Sequence, residues 1–440
     1  LVSLGYPVPL SNLLGCLLNQ TPSEAIYSSS VEVESDLREL LQGQGGKGEE
    51  EQAHEGDGQL HFVENRIFGR DEELQVLLSA YDRVVRDGNE RRSFVTISGY
   101  SGTGKTSMVN QLGGRLLADK AYLVKCSFSA QGQSMSALFQ AFDDYCRNVS
   151  GGDGRDSFDG IRRDVGEALG DRSGILSGCL PSLRSLLGEK TDAPTTRAET
   201  KEEEMNQILF YFIKFVRAIS GPDHPVVIVL DDIQWCDESC LEVVRMLLRD
   251  TEITSALFIG CYRDEEVGND HRFSNLFGEL AMEASLPMSS ITLKNLDSDG
   301  VNALISSVLR LNPRYTRPLA EVLQRKTQGN PMFVRQLLRS MVDDGLLTFS
   351  VIDRRWQWNI EAISSTPIAS NAVSLTIGMM RTYDRGVQNL LRLSALLGTT
   401  CKLATLECLF ESYGYCAKSD LLECIRKAVA GGIFILGSGL

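Results

Sequence analysis

The chain is poor in the residues that assemble a transition-metal site. Only four histidines stand among its 440 residues, and none lies near the grouped cysteines. Zinc needs several nitrogen or thiolate ligands at close spacing. Cys236 and Cys240 make one near pair, and Cys401, Cys408, Cys416 and Cys424 a loose cluster, so zinc is not expected at either. The eleven cysteines are odd in number and irregularly spaced. That argues against a secreted disulfide scaffold and for buried thiols in a reducing, cytoplasmic compartment. Long apolar runs are also missing. Val226–Leu230 typifies the short runs present, and a bilayer-spanning helix needs about 20 apolar residues. Leu1–Leu18 lacks a basic start and is broken by Pro7 and Pro9, unlike a signal peptide. Positive charge is scarce as well: 44 Lys and Arg against 58 Asp and Glu leave a formal charge of −14. Bulk attraction to nucleic acid or to an anionic membrane needs the opposite sign, so neither is the expected partner.

What is present is an ordinary globular balance, 42% hydrophobic and 23% charged, in a length that suggests about three domains. The chain starts with Leu and ends in the apolar, Gly-rich Gly431–Leu440, and is expected to be part of a longer protein. Residues 1–41, with an amphipathic pattern over Val31–Leu41, read as the tail of an upstream module. Residues 42–61 are polar and glycine-rich and read as a disordered linker. Residues 62–294 read as an α/β core. Its apolar residues Leu74, Leu77, Leu78, Tyr81 and Val85 mark one face of a helix. Five β-rich runs alternate with helical segments: Phe94–Ser98, Tyr122–Phe128, Val226–Leu230, Ala256–Tyr262 and Ile291–Leu293. Strands apolar on both faces and separated by helices predict a parallel sheet covered on both sides, hence three layers. Residues 295–345 carry helical stripes only and read as a lid. Residues 346–440 open with a short hairpin, Leu346–Ser350 and Arg355–Trp358, and then turn helical.

Gly99-Tyr100-Ser101-Gly102-Thr103-Gly104-Lys105-Thr106 fits the phosphate-binding G-x-x-x-x-G-K-[ST] loop, after a strand and before a helix. Glycines let backbone N–H groups turn inward around phosphates where a Cβ would intrude. Gly99, Ser101, Gly102, Thr103, Gly104, Lys105, Thr106 and Ser107 are therefore the expected nucleotide contacts. Lys105 reaches the β- and γ-phosphates, and Thr106 places its hydroxyl on Mg²⁺. The plainer alternative is a structural glycine-rich turn.

Val226–Leu230 runs into Asp231-Asp232. With the loop upstream, Asp231 is the expected Mg²⁺ partner of Thr106, and Asp232 the group that orients or deprotonates the attacking water. Two acids in this position predict an extra strand between the loop strand and the acid strand, and Ala256–Tyr262 is the candidate. Its C-terminal end would then lie near the γ-phosphate. Arg263 stands there, either to read that phosphate during transfer or as a surface arginine paired with Asp264 or Glu266.

Taken together these residues resemble a STAND-class, AAA+-related ATPase of the origin-recognition-like signalling group. The resemblance runs from Phe68-Gly69-Arg70-Asp71-Glu72-Glu73-Leu74 to Gly329-Asn330-Pro331-Met332-Phe333-Val334. It takes in the loop, Lys125-Cys126-Ser127-Phe128, Leu230-Asp231-Asp232-Ile233-Gln234-Trp235 and Gly260-Cys261-Tyr262-Arg263-Asp264-Glu265-Glu266. It implies ATP and Mg²⁺ as cofactors, with Phe68 and Arg70 over the adenine and ribose and Pro331 of a G-x-P-like motif against the base. Trp235 matches an apolar position and reads as packing. The family carries a winged-helix domain after the lid, which residues 346–440 would begin.

The expected function is an ATP-operated, slowly hydrolysing switch, with nucleotide held between core and lid, that regulates a linked signalling module. Its partners would be ATP and ADP, a signalling protein or effector module, and further copies of the chain in a nucleotide-dependent oligomer. The competing readings are a replication-initiation-type AAA+ ATPase acting on nucleic acid, against which the charge tells, and a small-molecule kinase.

Overall fold

Five parallel strands form the central sheet of the computed structural model: β1 (Arg92–Gly99), β2 (Tyr122–Ser127), β3 (Val226–Asp231), β4 (Ala256–Tyr262) and β5 (Met288–Leu293). Their order is β2-β3-β4-β1-β5. The structure describes residues 33, 58–63, 66–86, 92–130, 132–151, 155–188, 200–268, 271–282, 286–351, 355–365, 383–397, 401–413, 418–430 and 434. The expected upstream module, apart from Val33, lies outside these residues, as do 42–57 of the linker and 366–382.

The chain divides into two compact units. One comprises Leu1–Arg70, Gly102–Gly104 and Asn295–Thr382; the other comprises Asp71–Ser101, Lys105–Lys294 and Tyr383–Leu440. The sheet belongs to the second. Every residue of β1 is buried, and β3 and β4 are buried except at their last residues. That is the signature of strands covered on both faces. β4 lies between β1 and β3, pairing Val95 with Ile259 and Ile228 with Phe258. The extra strand anticipated from the paired acids is therefore there.

The long segment between β2 and β3 folds against the sheet. Its first helix, α1 (Ser134–Gly151), buries Leu138, Phe142 and Tyr145; its last, α2 (Lys201–Ile219), buries Phe212, Phe215 and Val216. Phe212 meets Phe139 and Phe142 edge-on, with ring centroids 5.1 and 5.0 Å apart, the geometry aromatic quadrupoles favour. Buried Asp143 of α1 accepts from the Ser182 amide at 2.6 Å and pairs with Arg147 at 2.8 Å. The loop back into the segment is thereby tied to α1.

In the other unit, α3 (Ser298–Leu309), α4 (Pro313–Thr327) and α5 (Pro331–Asp343) enclose a core of Val301, Leu304, Ile305, Leu319, Leu323, Val334 and Leu338. Asp297, Asn312 and Asn330 each cap the following helix through their side chains. Proline follows Asn312 and Asn330 at a first-turn position, where its missing N–H costs nothing. The hairpin β6 (Leu347–Ser350) and β7 (Arg355–Trp358) is antiparallel and shares this core through Leu347 and Trp356. The helices Arg385–Leu397, Leu403–Ser412 and Lys418–Ala430 have a core of their own around Val387, Leu390, Phe410 and Leu421. At the other end, the His61 amide donates to Val308 O at 3.2 Å, and Leu60, Phe62 and Phe68 pack on the helical core. Composition placed residues 58–61 in the linker because a single apolar side chain, Leu60, in a polar stretch leaves little pattern.

Candidate nucleotide site

The loop after β1 is built on left-handed glycines: φ is +80° at Gly102 and +102° at Gly104. At Gly102 the requirement is also spatial. An added Cβ would lie 2.8 Å from both Asn330 Oδ1 and Met332 Cβ, and Met332 N–H donates to Gly102 O at 3.3 Å. Gly102–Gly104 belong to the unit that holds Asn330 and Pro331. The tip of the loop is thus packed on the Asn330–Pro331 turn that opens α5. Thr103 is buried, and Ser107 is half-buried with its carbonyl accepting from Gln111 Nε2 at 3.3 Å.

Lys105 is only 8% exposed, and its ammonium donates to Gly99 O at 2.7 Å and Tyr100 O at 3.0 Å. Burial pushes its pKa below the ordinary lysine value, while the carboxylates of Glu265 and Asp232 push back. Thr106 Oγ1 donates to Asp231 Oδ2 at 3.2 Å, and Lys125 Nζ lies 3.9 Å from the same oxygen. Burial drives the Asp231 carboxyl above its ordinary value, with Lys125 opposing. A hydroxyl and a carboxylate side by side form the hard-oxygen set that a P-loop Mg²⁺ takes, its other ligands being phosphate oxygens and water. These residues fit the ion.

Asp232 has a left-handed backbone, φ +55°, which aims its side chain away from the line of β3. Its carboxylate receives Arg263 Nε at 3.0 Å, Arg263 Nη2 at 3.3 Å and Gln234 Nε2 at 3.0 Å. Arg263 also donates to Glu266 at 3.0 Å and lies over the Trp235 ring at 4.5 Å from its centroid. Of the two sequence alternatives for Arg263, the Glu266 pair is present, but the dominant partner is Asp232. The register explains it: Leu230 of β3 pairs with Gly260 of β4, so the residues just beyond each strand are neighbours.

Gly99, Ser101, Lys105, Thr106, Ser107, Asp231, Asp232 and Arg263 therefore lie in the sheet unit. Phe68, Arg70, Gly102, Thr103, Gly104 and Pro331 lie in the other. Phe68 sits under the Arg66 guanidinium, 5.3 Å from it, and Arg70 is buried. Sequence reading missed three residues. Trp235, read as packing, is the platform for Arg263. Gln234 bridges Asp232 and Glu266. Glu265 accepts the Ser101 amide at 3.0 Å. All three stood inside quoted motifs, but nothing in their spacing tells which neighbour each turns to.

Residues 66–259 match the AAA ATPase domain family. The AAA+-related resemblance read from the motifs holds over that stretch, somewhat less than half of the chain. Among curated proteins, the chain is 22% identical over 406 residues to "Hybrid signal transduction histidine kinase G" of Dictyostelium discoideum. The alignment covers 78% of this chain and 11% of that protein, so the chain spans about a tenth of its relative. Solved structures with similarity include the Aeropyrum pernix ORC2 protein in ADPNP–ADP complexes, at 12% identity and TM-score 0.40, covering 86% of this chain and 90% of that one. Another is Cdc6p from Pyrobaculum aerophilum, at 14% identity and TM-score 0.39, with the same two coverages. Likeness at that level adds nothing about what this chain does.

Proposed function

We propose that the chain is the ATP-operated, STAND-type switch of a larger cytoplasmic signalling protein, and that it hydrolyses ATP slowly. The observation that carries this reading is the convergence of Lys105, Thr106, Asp231, Asp232 and Arg263 at the carboxyl ends of β1, β3 and β4. In this reading Lys105 exchanges the loop carbonyls for phosphate oxygens. Thr106 and Asp231 would hold Mg²⁺, whose chemistry there would be neutralisation of phosphate charge. Phe68, Arg70 and Pro331 are assigned to the base and ribose on the strength of the resemblance alone.

Asp232 and Arg263 work as a pair. While the guanidinium is held in a two-pronged contact, the carboxylate's basicity is spent on it. Transfer of Arg263 to a terminal phosphate frees Asp232 to orient or deprotonate water. One movement then both reads the nucleotide and readies the base, and the need for it fits slow turnover. The signalling role is supported by the relative, a hybrid signal transduction histidine kinase by name.

The test is Mg²⁺-dependent ATP and ADP affinity with single-turnover hydrolysis, on wild type, Lys105→Ala and Asp232→Asn. Lys105→Ala should lose binding, because its contacts exist in the ground state. Asp232→Asn should keep affinity within about threefold and lose about 100-fold in rate, the usual worth of a positioned base. Wild-type hydrolysis by Asp232→Asn would refute the role of the second carboxylate. Full ATP affinity in Lys105→Ala would refute the site.

A further inference from the structure

Three acids follow Arg263 in sequence, and the structure gives two of them separate tasks. Glu266 is taken up by Arg263 and Gln234. Glu265 turns instead to the phosphate loop, where its Oε1 accepts the Ser101 amide proton at 3.0 Å. It is also the charged group acting most strongly on Lys105, ahead of Asp232 and Arg263. The hydrogen bond thus puts one carboxylate on a loop amide, and its charge acts on the loop lysine.

The backbone N–H groups of such a loop are the donors that receive phosphate oxygens. Each carries a single proton, so a carboxylate seated on one occupies part of the anion cradle. Lys105 is the residue that reaches the β- and γ-phosphates, and the Glu265 carboxylate acts on its charge. The negative charge it places there is of the sign, and in the region, that a terminal phosphate would bring.

We propose that Glu265 is a built-in competitor of the terminal phosphate: ATP must displace its carboxylate from Ser101, whereas ADP does not. The proposal rests on the nucleotide reading above and adds a selectivity to it. The chain would hold ADP by default, and ATP would gain the site only when the Arg263–Glu266 segment yields. Because Glu265 is exposed, its variants should fold, and its effect should shrink as salt screens the charge.

The experiment measures ATP and ADP affinities, with Mg²⁺, and single-turnover hydrolysis for wild type, Glu265→Gln and Glu265→Ala at low and high salt. Removal of an exposed charge-assisted contact predicts about a three- to tenfold gain in ATP affinity for Glu265→Ala. Glu265→Gln should show part of that gain, ADP affinity should stay within about twofold, and high salt should narrow the gap. Equal changes for both nucleotides, or weaker ATP binding in the variants, would overturn the proposal. So would unchanged affinity with slowed single-turnover hydrolysis, which would make Glu265 a catalytic base instead. If wild type binds neither nucleotide, the site reading fails along with the competitor. If it binds both and their ratio does not move in the variants, only the competitor fails.

Discussion

Gly329→Ala should unfold the helical unit, although Gly329 is itself no proposed nucleotide contact. Gly329 follows Gln328 in a left-handed turn, with φ of +53° and then +76°, that ends α4 and leads to the Asn330 cap. Its carbonyl accepts the Leu296 amide at 2.8 Å, and Gln324 Nε2 donates to Leu296 O at 3.0 Å. A Cβ at Gly329 would enter the van der Waals shell of Leu296 O, closer than any non-bonded contact allows, and come 2.7 Å from Gln324 Oε1. Gln324 can swing away; the Leu296 backbone cannot without giving up both hydrogen bonds. Left-handed strain for alanine costs about 1 kcal/mol, two hydrogen bonds about 1 kcal/mol each, and residual overpacking about 1 kcal/mol more. The sum, about 4 kcal/mol, approaches the whole stability of a small unit. Trp356 and Trp358 both lie in this unit's hairpin, and the third tryptophan, Trp235, lies in the sheet unit. Urea unfolding followed by tryptophan emission should therefore show an early transition in Gly329→Ala. Gly345→Ala, at φ +70° with nothing within 4 Å of its Cβ, is the control and should lose about 1 kcal/mol. A Gly329→Ala midpoint matching that control would refute the steric reasoning.

Gly102→Ala faces left-handed strain and the collision with Asn330 and Met332. It should weaken ATP binding at least about tenfold, as titration of nucleotide into the purified variant would show. Trp235→Ala removes the platform under Arg263. It should slow single-turnover hydrolysis about tenfold, with ADP affinity unchanged; an equal loss in both would point to a folding defect instead. At Asp384 the Lys427 ammonium, and then the Val387 amide, hold the carboxyl below its ordinary value. The pair's contribution is present above the ordinary carboxylate range and is lost as pH falls through the lowered value. Asp384→Asn should accordingly shift the urea midpoint at neutral pH and leave it unchanged in strong acid.

The sheet was legible because its residues answer to two local rules, apolarity on both faces and a phosphate loop between strand and helix. Even the order β3-β4-β1 could be inferred, since Asp231 and Asp232 imply a strand between acid and loop. Edges were less visible. β1 starts at Arg92, two residues before the apolar run, because that buried arginine donates to Leu248 O at 3.0 Å. β5 starts at Met288, ahead of two serines that hide the strand pattern. The helix expected through Val85 runs from Asp71 to Tyr81 and then loosens into a π turn over Asp82–Arg86. Arg115, 33 residues away, pairs with Asp82 there at 2.5 Å. No periodicity in the sequence encodes that partner.

The same limit explains the site. Thr106 and Asp231 could be paired in advance because a known loop fixes one and a strand end the other. The partners of Asp232 depend on how β4 registers against β3 and on a left-handed backbone at Asp232 itself, which costs an aspartate little but re-aims its carboxylate. Once aimed, it competes for Arg263 with Glu266, while Glu265 competes for the loop. A single substitution in this network therefore changes several contacts together. Asp232→Asn weakens the hold on Arg263 as well as removing a base; Arg263→Ala frees two carboxylates and uncovers Trp235. Their effects on hydrolysis should not add: once either partner is gone, removing the other should cost far less than it does alone. The double variant Asp232→Asn/Arg263→Ala, measured by single-turnover hydrolysis beside each single variant, reads this directly. Independent roles predict a product of the two losses. A shared switch predicts a loss close to that of the worse single variant, and a full product would refute the coupling on which the switch depends.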